Sequence, residues 1–189
     1  TVNAGGTLVQ AANGDDAYGA PMTRQLRSGG APLSVRVGGD LNLGSLVTSG
    51  SLSVVSTGGD ININVPIYET TGYTSLWAAG DIQVNQVVAN ATTGADLLMQ
   101  AGGDIAVNAK IGPWDRSVNP YPNVNRNALP GGKVQLQAGG DILIDREIGT
   151  YRGSLTGADD AAISLTSTGG SVLLTPGIKV SSDGGAISV

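Results

Sequence analysis

The sequence contains no cysteine, no histidine and no phenylalanine. Without cysteine there is no disulfide framework, and without cysteine or histidine two common catalytic side chains are missing. The absence of phenylalanine, with only two Trp and five Tyr in 189 residues, leaves Val, Ile, Leu and Ala to build the core. Such a core is regular, which favours a stack of similar layers over an irregular globule.

Positive charge is also scarce. Ten Lys and Arg against fifteen Asp and Glu give a net charge of −5 and a pI near 4.4. Because nucleic-acid affinity comes largely from clustered Lys and Arg, no nucleic-acid partner is predicted. No apolar run approaches the roughly 20 residues that cross a bilayer, and no signal peptide begins the sequence. The chain is therefore either cytosolic or the mature part of an exported protein.

A phrase of the type Gly-Gly-Asp, followed by alternating apolar residues, recurs along the chain. The copies are GGDLNLGSLV, GGDININVPI, AGDIQVNQVV, GGDIAVNAKI, GGDILIDREI and GGSVLLTPGI, with a partial seventh, GGAISV. Their third residues stand at positions 40, 60, 81, 104, 141, 171 and 186. The basic period is therefore about twenty residues, lengthened after positions 104 and 141.

Each copy predicts three short strands. Residues one and three places after the Asp are apolar, as in Ile61 and Ile63, and a second alternating segment such as KVQLQA precedes the Gly pair. The seventh place, on a third strand, is apolar in all complete copies: Val47, Ile67, Val88, Ile111, Ile148 and Ile178. Two copies contain STGG instead of AGG, so Thr57 and Thr168 are predicted one-residue insertions that leave the core register unchanged.

Corners are predicted where the strand after the Asp ends. The fourth place carries Gly44, Asn64, Asn85, Asn108 or Asp145, residue types that tolerate left-handed or sharply bent backbone. Three strands and two corners per repeat, with no helical periodicity, predict an all-β fold, a parallel β-helix with coils of about 20 residues. Seven or eight coils would form a rod about 35 Å long. A β-propeller is the rival architecture, but one blade needs about 40 residues.

The predicted organisation is a single β-helix segment over residues 1–189. Residues 1–32 form a leading coil plus a loop, and residues 33–189 form the repeated coils. Loop insertions are predicted at 112–132 and 147–160.

The tandem GGDIxVxA and AGGDIxI phrases, in a Gly- and Asn-rich chain without cysteine, resemble the large exoproteins of the filamentous haemagglutinin family. The resemblance covers residues 33–189. It implies a right-handed parallel β-helix in a long passenger, exported by an outer-membrane transporter in two-partner secretion and used in adhesion or contact-dependent competition. It also implies a secreted or cell-surface location in a Gram-negative bacterium. The Asn-Pro-Asn-Leu type motif of the family's secretion domain does not occur, so an internal segment of a longer chain is expected.

Aspartates at the third place are predicted to stack at one corner: Asp40, Asp60, Asp81, Asp104 and Asp141. Calcium binding is one interpretation, but the calcium-binding nonapeptide Gly-Gly-x-Gly-x-Asp does not occur. The favoured interpretation is structural, with each carboxylate accepting backbone N–H bonds and fixing the turn. The corner residues Asn64, Asn85 and Asn108 are likewise predicted to form a ladder of stacked amides. No metal or cofactor is predicted.

Six of the seven aromatic residues are predicted to project from one side of the coils. These candidate ligand-binding residues are Tyr68, Tyr73, Trp77, Trp114, Tyr121 and Tyr151, with Asp115 and Arg116 beside Trp114 in the longest insertion. Aromatic rings beside Asp and Arg suit the flat faces and hydroxyl rims of sugars, so they predict binding to host-cell glycans, to receptors or to other cells. The alternative interpretation is that the rings cover the coil and brace its loops.

The predicted function is that of a stalk or adhesin segment in an exported surface exoprotein, without enzymatic activity. The alternative is a β-helical lyase or hydrolase that cleaves polysaccharides. Its candidate acids are Asp115, Asp159 and Asp160, with Arg116 and Arg152 as charge stabilisers. General acid and base catalysis needs two carboxylates held at a defined separation, whereas these residues lie in Gly-rich loops.

Overall fold

Short strands with alternating inward and outward residues make up most of what the structure describes. The structure, a computed structural model, describes residues 2–4, 8–9, 26–27, 31–43, 47–64, 67–70, 73–86, 88, 96–112, 132–150, 162–182 and 185–189. These ranges contain twenty strands and no helix. They therefore include no helix long and apolar enough to cross a membrane. The all-β prediction is confirmed for the described residues.

The first sheet has eight parallel strands, and seven of them are the segments before a Gly pair. The eighth, Ile187–Ser188, follows a Gly pair but pairs with Ile163–Ser167, so the prediction that GGAISV begins a seventh copy of the segment after the Gly pair is wrong. Neighbouring strands pair residue for residue, as Leu76 does with Val54 on one side and Met99 on the other. The strands follow one another in chain order: Val2–Ala4, Leu33–Val37, Leu52–Ser56, Thr74–Ala78, Leu97–Ala101, Val134–Ala138, Ile163–Ser167 and Ile187–Ser188.

The second sheet has seven parallel strands, formed by the segments after each Asp. Ile82 pairs with Ile61 and Ile105, so equivalent residues of consecutive repeats lie side by side. These strands also stack in chain order: Leu8–Val9, Leu41–Leu43, Ile61–Ile63, Ile82–Val84, Ile105–Val107, Ile142–Ile144 and Val172–Leu174.

A third set of parallel pairings runs through the seventh place of the repeats. Ile67, Val88, Ile111 and Ile148 pair in sequence through isolated bridges. They join the strands Leu26–Arg27, Val47–Ser49 and Ile67–Thr70 to the strands Ile148–Thr150 and Val180–Ser182. Each full repeat therefore visits three parallel sheets in turn and returns to the first sheet one strand further on.

The prediction that Ile178 occupies the seventh place is wrong, because Val180 pairs with Ile148 there. The segment Thr175–Ile178 makes an additional turn in which the Ile178 N–H donates to the Thr175 carbonyl at 3.1 Å. Gly177 adopts a φ of +86° in this turn, a backbone conformation that glycine accepts without steric cost. The turn shifts the start of the strand by two residues along the sequence. Ile178 lies outside strand Val180–Ser182 and packs against the core.

The core is a column of aliphatic side chains between the sheets. Every buried hydrophobic residue of the described chain is Val, Ile, Leu, Ala or Met. Inward positions of the first and second sheets, such as Leu52, Leu76, Ile61 and Ile105, are fully buried. The predicted aliphatic core, and the inward placement of the residues one and three places after the Asp, are therefore confirmed.

Replacing Ile82 by Ala should destabilise the protein by about 2–5 kcal/mol, because the side chain is fully buried between Ile61 and Ile105. The matched control is Gln83→Ala on the exposed side of the same strand, which should change stability by no more than about 0.5 kcal/mol. Urea denaturation measures both free energies of unfolding. Equal effects of the two substitutions would contradict the assigned register.

Candidate functional site

The aspartates of the repeat form a hydrogen-bonded ladder along one corner. Each carboxylate Oδ1 accepts the backbone N–H of the equivalent residue in the next repeat, at distances from 2.7 to 3.0 Å. The accepting residues are Asp40, Asp60, Asp81, Asp104 and Asp141, and the last donor is the N–H of Ser171. Each bond therefore joins two repeats, so the ladder ties the corner together along the whole stack.

The second glycine of each pair is required by the close approach of this carboxylate. A Cβ on Gly140 would overlap Oδ1 of Asp104, and the same overlap occurs at Gly59, Gly80, Gly103 and Gly170. Among the described residues only Gly112 and Gly177 have positive φ values, so these glycines are not needed for left-handed backbone. They are needed because any side chain would displace the carboxylate from the backbone of the next repeat.

The aspartate carboxylates act as hydrogen-bond acceptors that stabilise the corner. A hydrogen bond to a charged acceptor contributes about 1.5–3 kcal/mol, which makes these bonds among the stronger ones at the surface. Within the described ranges no group of three or more acidic residues is arranged to hold a metal ion.

The asparagines at the second corner form a side-chain ladder. The Asn85 Nδ2 donates to Asn64 Oδ1 at 3.0 Å, and the Asn108 Nδ2 donates to Asn85 Oδ1 at 2.9 Å. At the equivalent place two repeats later, the Thr175 hydroxyl donates to Asp145 Oδ1. No described residue other than glycine has a positive φ, so these asparagines are not left-handed. Asparagine suits this corner because its amide both donates and accepts along the stack.

Two serines, the buried Ser56 and the partly buried Ser167, complete the turns that contain an extra residue. Thr57 and Thr168 are the predicted insertions, and the register on both sides of Thr57 is kept, as Ser56 pairs with Ala78 and Ile61 pairs with Ile82. The Ser56 hydroxyl donates to the Gly39 carbonyl at 2.6 Å and accepts the Gly59 N–H at 3.2 Å.

Ser167 makes the equivalent bonds to the Gly140 carbonyl and the Gly170 N–H, at 2.7 and 3.0 Å. Sequence reasoning missed the role of both serines. The available signal was that Ser replaces Ala only in the copies that carry the extra Thr.

Three of the predicted ligand-binding residues, Tyr68, Tyr73 and Trp77, lie within the part of the chain that the structure describes. Trp114, Asp115, Arg116, Tyr121 and Tyr151 lie outside the described residues. Tyr68 lies in strand Ile67–Thr70 of the third set, whereas Trp77 lies in strand Thr74–Ala78 of the first sheet. That the aromatic residues project from one side of the coils stays a prediction.

Tyr73 and Trp77 do share one surface, which we call the outer face of the first sheet. Their side chains are 54% and 39% exposed. The register arranges the outward residues of six strands in two rows along the stack. One row is Ser34, Ser53, Ser75, Leu98, Gln135 and Ser164, and the other is Arg36, Val55, Trp77, Gln100, Gln137 and Thr166.

The two rows are polar but almost uncharged, whereas the charged residues Asp96 and Lys133 precede the next two strands at the level of Tyr73. Arg36 is the single charged residue in the two rows. The Gln100 Nε2 donates to Gln137 Oε1 at 3.0 Å, which aligns two amides along the stack. Because a glutamine amide carries two donors and one acceptor with two lone pairs, this pair retains hydrogen-bonding capacity. The face can therefore offer aromatic surface, hydroxyls and amides to a ligand.

Comparison with known proteins adds no relative: the chain matches no family model, no curated protein and no solved structure.

Replacing Gly140 by Ala should destabilise the protein by about 1–3 kcal/mol, because the new Cβ overlaps the Asp104 carboxylate. Asp104→Ala should also destabilise it, because the Asp141 N–H loses its acceptor. The double variant should lose less than the sum of the two, since Asp104→Ala removes the overlap. Free energies of unfolding for the four proteins test this, and strict additivity would contradict the stated reason for the glycine.

Replacing Ser56 by Ala should cost about 1–3 kcal/mol, because it leaves the Gly39 carbonyl and the Gly59 N–H without their partner. Deleting Thr57 in the same variant produces the sequence AGGD, as found at Ala138–Asp141. This shorter turn should recover most of the lost stability. Thermal denaturation of the two variants measures the difference, and a further loss on deletion would contradict the assigned role of the serine.

Proposed function

We propose that this chain is part of a right-handed parallel β-helix, a rod-shaped stalk or adhesin segment of an exported bacterial surface exoprotein. Its sheets support the β-helix, since each repeat visits three parallel sheets and returns one strand further on. The right hand is supported by a general rule, because crossover connections between parallel strands of one sheet are right-handed in about 98% of cases. The repeat phrases that resemble the filamentous haemagglutinin family support the surface role.

The observation that carries the proposal is that the longest insertion does not change the pairing of the strands. Strands Leu97–Ala101 and Val134–Ala138 pair residue for residue, although 37 positions separate their equivalent residues. At the base of this insertion, the Lys133 N–H donates to Asp96 Oδ1 at 2.8 Å. The stack thus keeps its register across the inserted residues, as a scaffold that presents binding loops must.

In this role the rod provides distance and rigidity, and its side loops provide contact. The loop residues Trp114, Asp115, Arg116, Tyr121 and Tyr151 are proposed to bind host-cell glycans, receptors or other cells. Export through an outer-membrane transporter suits a chain without cysteine whose contacts join neighbouring repeats, because such a chain can fold repeat by repeat from one end. The proposed location is the surface of a Gram-negative bacterium or its surroundings.

A polysaccharide-cleaving enzyme is the alternative, and no observation on the described residues favours it. Its candidate residues Asp115, Asp159, Asp160, Arg116 and Arg152 lie outside those residues. The described aspartates at the corner accept backbone N–H bonds. A reducing-sugar assay on neutral and uronate polysaccharides distinguishes the two functions, since an adhesin releases no product.

Replacing the segment between Ile111 and Val134 by the shorter, aromatic-free one between Val47 and Leu52 should leave the melting temperature within a few degrees. Ile111 pairs with Val88 and Ile148, and strand Val134–Ala138 pairs with its neighbours on both sides, so these pairings do not depend on the insertion. Binding to a glycan array or to host cells should be lost, and Trp114→Ala and Tyr121→Ala should reproduce this loss. Unchanged array and cell binding in all three variants would overturn the proposed role of the loop.

A further inference from the structure

Two exposed aromatic rings stand at the ends of one strand on the outer face of the first sheet. Tyr73 directly precedes strand Thr74–Ala78, and its carbonyl accepts the Leu52 N–H at 2.9 Å, which holds it in line with the sheet. Residues two apart on a strand share a face, so Tyr73, Ser75 and Trp77 point the same way. At 3.3 Å per residue, the Cα atoms of Tyr73 and Trp77 lie about 13 Å apart.

The surface around Ser75 and Trp77 is uncharged along both neighbouring strands, whereas Tyr73 lies level with the exposed Asp96 of the next strand. Ser53 and Leu98 flank Ser75, and Val55 and Gln100 flank Trp77. Ser75, Val55, Leu98 and Gln100 are partly exposed, so the strip between the rings is accessible from outside. It combines aliphatic area with a hydroxyl and an amide.

This chemistry selects the ligand class. An anionic ligand would need clustered cations, whereas Arg36 and Lys133 lie four strands apart on this face and Asp96 is level with Tyr73. An added β-strand would need a free sheet edge, whereas strand Thr74–Ala78 is paired on both sides. An uncharged sugar ring has an apolar face that packs on an aromatic ring and hydroxyls that bond to Ser and Gln side chains.

We propose that the outer face of the first sheet binds an extended, uncharged oligosaccharide that lies along strand Thr74–Ala78. One sugar ring packs on Tyr73 and another on Trp77, while hydroxyls between them bond to Ser75 and Gln100. The site deepens the proposed adhesive function, on which it rests for the encounter with glycans, and it uses none of the loop residues. Its two aromatic contacts are held at a separation that the strand geometry sets.

Titration of the full 189-residue chain with neutral hexasaccharides of glucose, N-acetylglucosamine, mannose and xylose tests the site. Calorimetry should detect binding of at least one of them, and Trp77→Ala and Tyr73→Ala should each raise its Kd by about tenfold or more. Trp77→Phe should recover part of the affinity, because a smaller ring remains. The matched control is Leu143→Ala, a residue that is 38% exposed on the second sheet, and it should leave Kd unchanged.

Four outcomes would overturn the proposed site. The first two are no binding of any neutral hexasaccharide and binding only of charged polysaccharides such as heparin. The third is an unchanged Kd in both aromatic variants when they retain the wild-type melting temperature. The fourth is self-association that Trp77→Ala abolishes, which would make the face an interface between copies.

The variant with the shortened connection between Ile111 and Val134 separates this site from the loops. It should still bind the hexasaccharide, whatever happens to its array binding. Loss of hexasaccharide binding in this variant, with retention in Trp77→Ala, would refute the sheet site and support the loop function. Array binding that is unchanged without the loop, combined with hexasaccharide binding that depends on Trp77, would refute the loop function and leave the sheet site standing.

Discussion

Register between repeats is the constraint on which the rest of the structure depends. Each inward side chain must lie beside its counterpart in the next repeat, as Ile61, Ile82 and Ile105 do in the second sheet. Because side chains alternate between faces, a slip of one residue would turn an entire apolar set towards water. Burying one such side chain contributes about 1.5–3 kcal/mol, against about 1 kcal/mol for an ordinary hydrogen bond. The aliphatic column therefore supplies most of the stability.

The hydrogen bonds of the corner ladders depend on the same register. Each aspartate bond joins a carboxylate to the backbone of the next repeat, so it forms only when the two repeats are in step. Two carboxylates one strand spacing apart repel each other by about 1 kcal/mol in a water-like medium. A hydrogen bond to a charged acceptor contributes about 1.5–3 kcal/mol, so attraction exceeds this repulsion at a solvent-exposed corner. Serine ends the aspartate series at position 171, where its backbone N–H still donates to Asp141.

The period of the repeat and the alternation of apolar residues were sufficient to predict the strands and the core, because both follow from local side-chain direction. They were insufficient where a turn changed length in a way that leaves the apolar pattern intact. Ile178 fits the pattern as well as Val180, and the turn at Gly177 decides between them. The serine bonds and the cross-repeat aspartate bonds were also hidden, since their partners lie 17 to 37 residues away. The sequence also did not determine that Tyr68 and Trp77 lie on strands of different sheets, because that depends on where each connection ends.

Loops and sheet faces offer two different ways to place a binding function on such a stack. Loop closure costs only about 0.6 kcal/mol for each doubling of loop length, so insertions can grow and vary while the strands beneath them stay paired. A loop can therefore adapt its shape to a partner, but it loses entropy when it binds. The outer face of the first sheet loses little, because Trp77 stands on a strand paired along its whole length on both sides. Its limitation is fixed spacing, so a sheet site suits regular ligands and a loop site suits irregular ones.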